Sequence, residues 1–213
     1  MCSSDLLDLL ADAAPTHVAH FITRAREGVY NGTTFHRVIA MGIIQGGDPI
    51  SKDPSQAAKY GTGGLGELRF EPNSEKHTRG AVSAVLVPGR RDSGGSQFFI
   101  CVTDQAALDG QYTVFARVAE GINVVQTISN MPAEATVPAD RIVITRVTIR
   151  DRPAPVPVPF LSETAEELGR THAVIETSLG NMTVEFFADR APDHVRNFLR
   201  LAAAGIYDGT AFH

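Results

Sequence analysis

The chain has 213 residues, 43% of them hydrophobic and 20% charged, with a formal net charge of −5. That length holds one well-packed core and part of a second, and this composition argues against wholesale disorder. No apolar run approaches the roughly 18 residues of a membrane span; the acidic balance argues against a nucleic-acid binder; and two cysteines, Cys2 and Cys101, give no disulfide framework.

From the N-terminus, "LLDLLADAAP" reads as a short strand ending in a turn. A helix follows, with Pro15 in its first turn, where the missing N–H does no harm. Val18, Phe21, Ile22 and Ala25 recur at i, i+3, i+4 and i+7 along one face, and Gly28 is a natural stop. "HRVIAMGIIQGGD" and "SQFFICV" are apolar runs bounded by glycines, "YTVFARV" is a short strand, and "RIVITRVTIRD" is a longer one. "INVVQTISNM" is the second helix, with Val124, Val125 and Ile128 turned inward. Cys101 sits in an apolar run and reads as a small buried hydrophobe. Many short strands with two helices predict an antiparallel barrel or sandwich.

The stretch "RPAPVPVPF" then breaks the pattern. Its alternating prolines cannot donate ladder hydrogen bonds and favour an extended polyproline II spacer. "SETAEELGR" adds one or two helical turns, and "HAVIETSLGN" reads as a strand and turn. After that the chain repeats itself. Shifted by 177 residues, Ser4–His36 falls on Asn181–His213 without a gap, with 14 identities in 33 positions. This period is the size of a domain plus a linker, too long for a solenoid. The expected organisation is therefore a first domain over 4–151, a Pro-rich linker over 152–170, and the opening of a second copy over 171–213. The second copy has a strand upstream, 172–180, that the first lacks. That strand is a candidate to fill the gap in the first copy, within one chain or by a swap between two. The chain reads as soluble with no visible signal peptide; its N-terminus reads as cut, so the compartment is not read from it.

Several motifs fail on context. "GTGGLG" fits a dinucleotide fingerprint by spelling, but it lacks the preceding apolar strand and the following helix. Its glycines suit a tight loop with positive φ. "SGGSQFF" lacks the glycine a nucleophile elbow needs. The seven histidines show no zinc spacing. What remains is "FHRVIAMGIIQGGDP". On an extended strand Arg37 and Gln45 have equal parity and share a face. Taken alone, the pair reads first as a surface arginine and a solvated glutamine, and only second as two groups sharing a groove.

Together with "GTGG", "GSQFFI" and "LDGQYTVFARV", that stretch resembles the cyclophilin family of peptidyl-prolyl cis-trans isomerases over about residues 5–151. Residues 172–213 resemble the start of a second such domain, ending at His213, just before the family's arginine. The resemblance implies a mainly β fold: an eight-stranded antiparallel barrel capped by two helices, with the first strand missing from the first copy. It implies an isomerase that uses no cofactor or metal and acts on proline-containing polypeptides, assisting their folding. Carried over to this sequence, Arg37 is the catalytic arginine and Gln45 binds the substrate backbone. Ile43, Phe99, Leu108 and Tyr112 form the proline pocket, and Gln97 helps to hold Arg37.

There are departures. Gly42 stands where the family usually has phenylalanine and Ile43 where methionine is common, and Met41 is expected to fill part of the gap. Ala107 replaces the tryptophan linked to cyclosporin binding. Tyr112 replaces a histidine, and the loop "SAVLVPGRRDSGGSQ" is longer than usual. The competing readings are a proline-peptide binding module with little turnover and an inert fragment that cannot close its barrel.

Overall fold

The computed structural model describes residues 6–151 and 159–212. Cys2, His213 and most of the expected polyproline spacer lie outside them. The chain divides into two compact units, Met1–Arg150 and Asp151–His213.

The first unit is a curled antiparallel sheet of seven strands in the order β1-β6-β4-β5-β3-β2-β9. These are β1 (Leu6–Leu9), β2 (Thr34–Val38), β3 (Ile43–Gly46), β4 (Ala81–Ala84), β5 (Phe98–Cys101), β6 (Val114–Glu120) and β9 (Ile142–Val143). A two-residue hairpin, β7 (Ala133–Glu134) with β8 (Val137–Pro138), stands apart from it. Two helices complete the unit, α1 (Pro15–Arg26) and α2 (Ile122–Ser129). As the spacing predicts, α1 starts on Pro15 and buries Val18, Phe21 and Ala25. On α2, Val125 is buried and Ile128 packs on the core, while Val124 is only half-buried.

Strand periodicity divides the unit's apolar residues between two jobs. On β5, Phe98 and Ile100 join Phe21, Tyr30, Ile44, Val82 and Phe115 in the main core. The alternate residues, Phe99 and Cys101, join Ala81 and Val114 in a second cluster, flanked by Ile43, Leu108 and Tyr112. Successive side chains on a strand point to opposite faces, so one strand holds the core with one face and builds a surface site with the other. Each fully buried aromatic or aliphatic side chain contributes about 1.5–3 kcal/mol. Burial also pushes the Cys101 thiol up to about 12, so it acts as a small hydrophobe.

An eight-stranded barrel lacking its first strand was expected, and among the described residues the main sheet has seven strands, with β1 and β9 at its edges. One strand expectation needs correction. The long strand expected at 141–151 shrinks to Ile142–Val143, which pairs with β2. Ile144 still exchanges hydrogen bonds with Gly32 and Thr33, and Ile144, Val147 and Ile149 still pack on the core. No strand among the described residues lies beside 144–150, and an extended segment without a ladder partner is not a strand.

In the second unit, α3 (Ala165–Gly169) opens with a reciprocal capping box between Thr164 and Glu167. The segment 172–180, expected as a candidate for the first barrel, has a nearer partner. Its strand β10 (His172–Thr177) pairs with β11 (Gly180–Glu185) across a two-residue turn. Local pairing closes the shortest loop and so carries the smallest entropy loss. α4 (Pro192–Ala203) repeats α1, with Val195 and Leu199 buried against Leu168 and Ala188.

Three histidines of the first unit, His17, His36 and His77, are buried. Burial lowers the pKa of each below the ordinary 6.5, although Glu71 and Asp109 partly oppose it at His17 and His77. Below about pH 6.5 the unfolded chain therefore binds protons that the folded chain does not, and stability falls as pH falls. Urea unfolding between pH 7.5 and 5 is expected to give midpoints that decline steadily below pH 6.5. A flat profile across that range would contradict the assignment.

Candidate active site

The "FHRVIAMGIIQGGDP" stretch is not one extended strand. It is a hairpin, β2 to β3, that turns at residues 39–42 and sets Arg37 directly opposite Gln45. Gln45 in turn lies opposite Phe99 on β5. Three neighbouring strands thus deliver the arginine, the amide and the aromatic ring side by side.

A chain of hydrogen bonds fixes their polar groups. Arg37 Nη1 donates to Gln45 Oε1 at 3.3 Å, Gln45 Nε2 donates to Gln97 Oε1 at 3.0 Å, and Gln97 Nε2 donates to the Gly63 carbonyl at 2.7 Å. The chain has one polarity. Because Gln97 must donate to a carbonyl, its oxygen faces Gln45; because Gln45 must donate to that oxygen, its own oxygen faces Arg37. Gln45 and Gln97 are 8% and 1% exposed, so an unpaired amide there would carry a desolvation penalty of about 1–3 kcal/mol. Arg37 itself is exposed.

The loop at the root of this chain is "GTGGLG". Buried Asp48 holds it: Oδ2 accepts from the Gly61 amide at 2.6 Å and from the Gly63 amide at 3.3 Å. The loop's glycines are needed for close approach. A Cβ on Gly63 would lie 2.4 Å from Asp48 Oδ1, and Gly64 has φ +61°. Gly61, Thr62 and Leu65 of this loop also line the groove beside Arg37.

Beside Arg37 lies a groove of roughly 780 Å³. Arg37, Gln45, Ile43, Phe99, Leu108 and Tyr112 all line it, while Gln97 stands behind them, holding Gln45. Phe99 is almost fully buried and forms an edge-to-face pair with Tyr112, centroids 5.3 Å apart at 90°. Leu108 comes from a single 3-10 turn, Ala106–Leu108.

The structure corrects the expectation for Met41. It is 60% exposed, has φ +56°, and does not line the groove. Its carbonyl is held by Thr103 Oγ1 at 2.5 Å, which fixes the turn with the side chain outward. The wall is Ile39 instead: a Cβ on Gly42 would come within 2.8 Å of Ile39 Cγ2.

Two further contributions escaped the sequence reading. His77 stacks on Phe99 from behind, with centroids 5.9 Å apart at 14°. The Asp109 carboxylate holds it by the backbone amide at 2.9 Å and by Nδ1 at 3.1 Å. The His77 backbone hydrogen bond is the main reason the Asp109 carboxyl falls to about 2. Val85–Pro88, from the long loop, form the groove's other wall. No local spacing announces either feature, because His77 and Asp109 are 32 residues apart. Among the described residues there is no cluster of three potential metal ligands, and no helix is long and apolar enough to cross a membrane.

The fold and groove define a class, and comparison with known proteins gives it a name. The model of the cyclophilin-type peptidyl-prolyl cis-trans isomerase/CLD family matches residues 6–149 and again 172–213. A peptidyl-prolyl cis-trans isomerase of Helicobacter pylori is 44% identical over 129 residues, which is 57% of this chain and 72% of that protein. Peptidyl-prolyl cis-trans isomerase B of Bacillus subtilis is 40% identical over 124 residues, 58% of this chain and 81% of its own. Among solved structures, a Cryptosporidium parvum cyclophilin-type isomerase crystallised in the presence of the dipeptide Ala-Pro matches with TM-score 0.61 at 27% identity, covering 70% of this chain and 93% of its own. The chain belongs to the cyclophilin-type peptidyl-prolyl cis-trans isomerase family. It is an isomerase.

The hydrogen-bond chain ties Gln97 to Gln45 and, through Gln45, to Arg37. Gln97→Leu removes the acceptor that sets the Gln45 amide and leaves the Gly63 carbonyl unpaired. The expected result is a fall of about tenfold in kcat with the fold retained by circular dichroism; an unchanged kcat would show that Gln97 does not orient the site.

Proposed function

We propose that Arg37 drives isomerisation of X–Pro bonds in polypeptides by donating a hydrogen bond to the proline nitrogen in the twisted transition state. The observation that carries this reading is the Arg37–Gln45–Gln97 chain beside a groove walled by Ile43, Phe99, Leu108 and Tyr112.

The chemistry follows from the peptide bond. Resonance stiffens C–N and sets a rotation barrier of about 18–20 kcal/mol. For X–Pro the two isomers differ by only about 0.5–1 kcal/mol, so the problem is kinetic. At half rotation resonance is lost, and the nitrogen becomes pyramidal and basic. A donor aimed at that nitrogen lowers the energy of the twisted state and of neither planar one. A guanidinium suits the task, with permanent charge and a rigid fork of N–H groups. One fork nitrogen is tied to Gln45, which restrains the group and leaves other N–H groups for the substrate.

Ile43, Phe99, Leu108 and Tyr112 grip the proline ring while the preceding carbonyl swings. Gln45 spends one amide N–H on Gln97; the second is free in principle to hold the substrate backbone. Gln45 thus both orients Arg37 and anchors the chain being turned. The substrates are proline-containing polypeptides, whose folding such turnover assists.

A hydrogen bond to a charged group contributes about 1.5–3 kcal/mol, or about tenfold to a hundredfold in rate. Arg37→Ala is therefore expected to lower kcat by about that factor while peptide affinity, read by NMR titration, largely survives. A variant turning over at the wild-type rate would defeat the mechanism. Loss of binding with kcat retained would reassign Arg37 to substrate capture.

A further inference from the structure

The active groove does not end at Tyr112. It continues into a second concavity of roughly 500 Å³, and Leu86, Val87, Pro88 and Tyr112 form walls of both. Beyond them the extension is lined by Arg90, Arg91, Gly110 and Gln111, so its charged side chains are both basic. In a chain of net charge −5 this is a local reversal of sign.

The two arginines are not equivalent. Arg91 is committed: its Nη2 donates to the Gly110 carbonyl at 2.9 Å, and its guanidinium lies 4.0 Å over the Phe70 ring. It bridges the walls. Arg90 is exposed, and its side chain makes no ion pair or hydrogen bond among the described residues. The next carboxylate along the chain, Asp92, already accepts from the Phe70 amide at 3.0 Å.

The backbone carrying Arg90 is nevertheless fixed. The Arg90 amide donates to the Val87 carbonyl at 2.9 Å across a turn in which Gly89 has φ +77°. Buried Ser93 pins the turn from beneath: its Oγ accepts from the Val87 amide at 2.7 Å and donates to the Arg90 carbonyl at 2.5 Å. A rigid turn thus presents an uncommitted guanidinium at the mouth of a groove continuous with the proline pocket. A guanidinium fork pairs best with a carboxylate.

We propose that Arg90 is a specificity residue that favours substrates carrying an Asp or Glu a few positions from the isomerising proline. The inference rests on the groove being the substrate groove, and it adds a chemical preference to it. Such pairing forms in planar and twisted substrate alike, so it acts on KM more than on kcat.

The test uses the full chain and a neutral Ala-Pro peptide, with a single Glu moved from three residues before the proline to three after. Both kcat/KM and the NMR-measured Kd are read, so the charge preference is scored separately from turnover. Turnover of the neutral parent reports on the groove; the ratio of Glu peptide to parent reports on Arg90. At low salt that ratio is expected to reach about threefold to fivefold at one or two positions. It is expected to shrink at 1 M salt, to approach one in Arg90→Ala, and to invert in favour of a Lys peptide in Arg90→Glu. A ratio near one at every position in the wild type, or a preference that survives Arg90→Ala, would overturn the proposal even if the neutral parent turns over.

Discussion

One constraint organises the site: a buried amide must satisfy both of its ends. Gln97 donates to the Gly63 carbonyl, and from that bond follow the orientation of Gln45 and then the direction of the Arg37 fork. The root of the chain is itself fixed, since the buried Asp48 carboxylate holds the Gly61 and Gly63 amides. An exposed arginine on an open strand would sample many rotamers. This one is tied through two buried amides to a loop that packs too closely for side chains, and the ordering energy comes from folding rather than from substrate binding.

The sheet makes this possible through its period of two. Phe98 and Ile100 go to the core, and Phe99, between them, goes to the groove. The rigidity of the groove wall at Phe99 is borrowed from the rigidity of the core strand, and His77 and Tyr112 close on Phe99 from two further directions. A catalyst of bond rotation needs this stiffness. In the proposed mechanism the Arg37 hydrogen bond acts on a ring held still while the rest of the chain swings, and a pliant pocket would turn with its substrate.

Much of this was legible in the sequence, for reasons of range. The α1 face, the β5 run and the Arg37–Gln45 pair are patterns within about ten residues, where periodicity and parity speak directly. The repeat at 181–213 was visible because it is written twice. What the sequence hid is set by distance or by partnership. Ile39 becomes the pocket wall only because the turn sends Met41 outward and leaves no room for a Cβ at Gly42. His77 is held against Phe99 by Asp109 and by the Gln105 amide, partners about 30 residues away in sequence. The 144–150 segment has the composition of a strand and no ladder beside it, because strand identity belongs to the pair and not to the residues alone. Segment 172–177 reads as a strand and is one, but its partner is the neighbour that the Gly180 turn supplies.

In the proposed mechanism direction, beyond charge, makes Arg37 effective. Arg37→Lys keeps the positive charge and gives up the planar fork that Gln45 fixes. Single-turnover isomerisation of an Ala-Pro peptide by this variant is the most direct measurement. The account predicts a rate lower by about tenfold or more, and a lysine variant as fast as the wild type would contradict it.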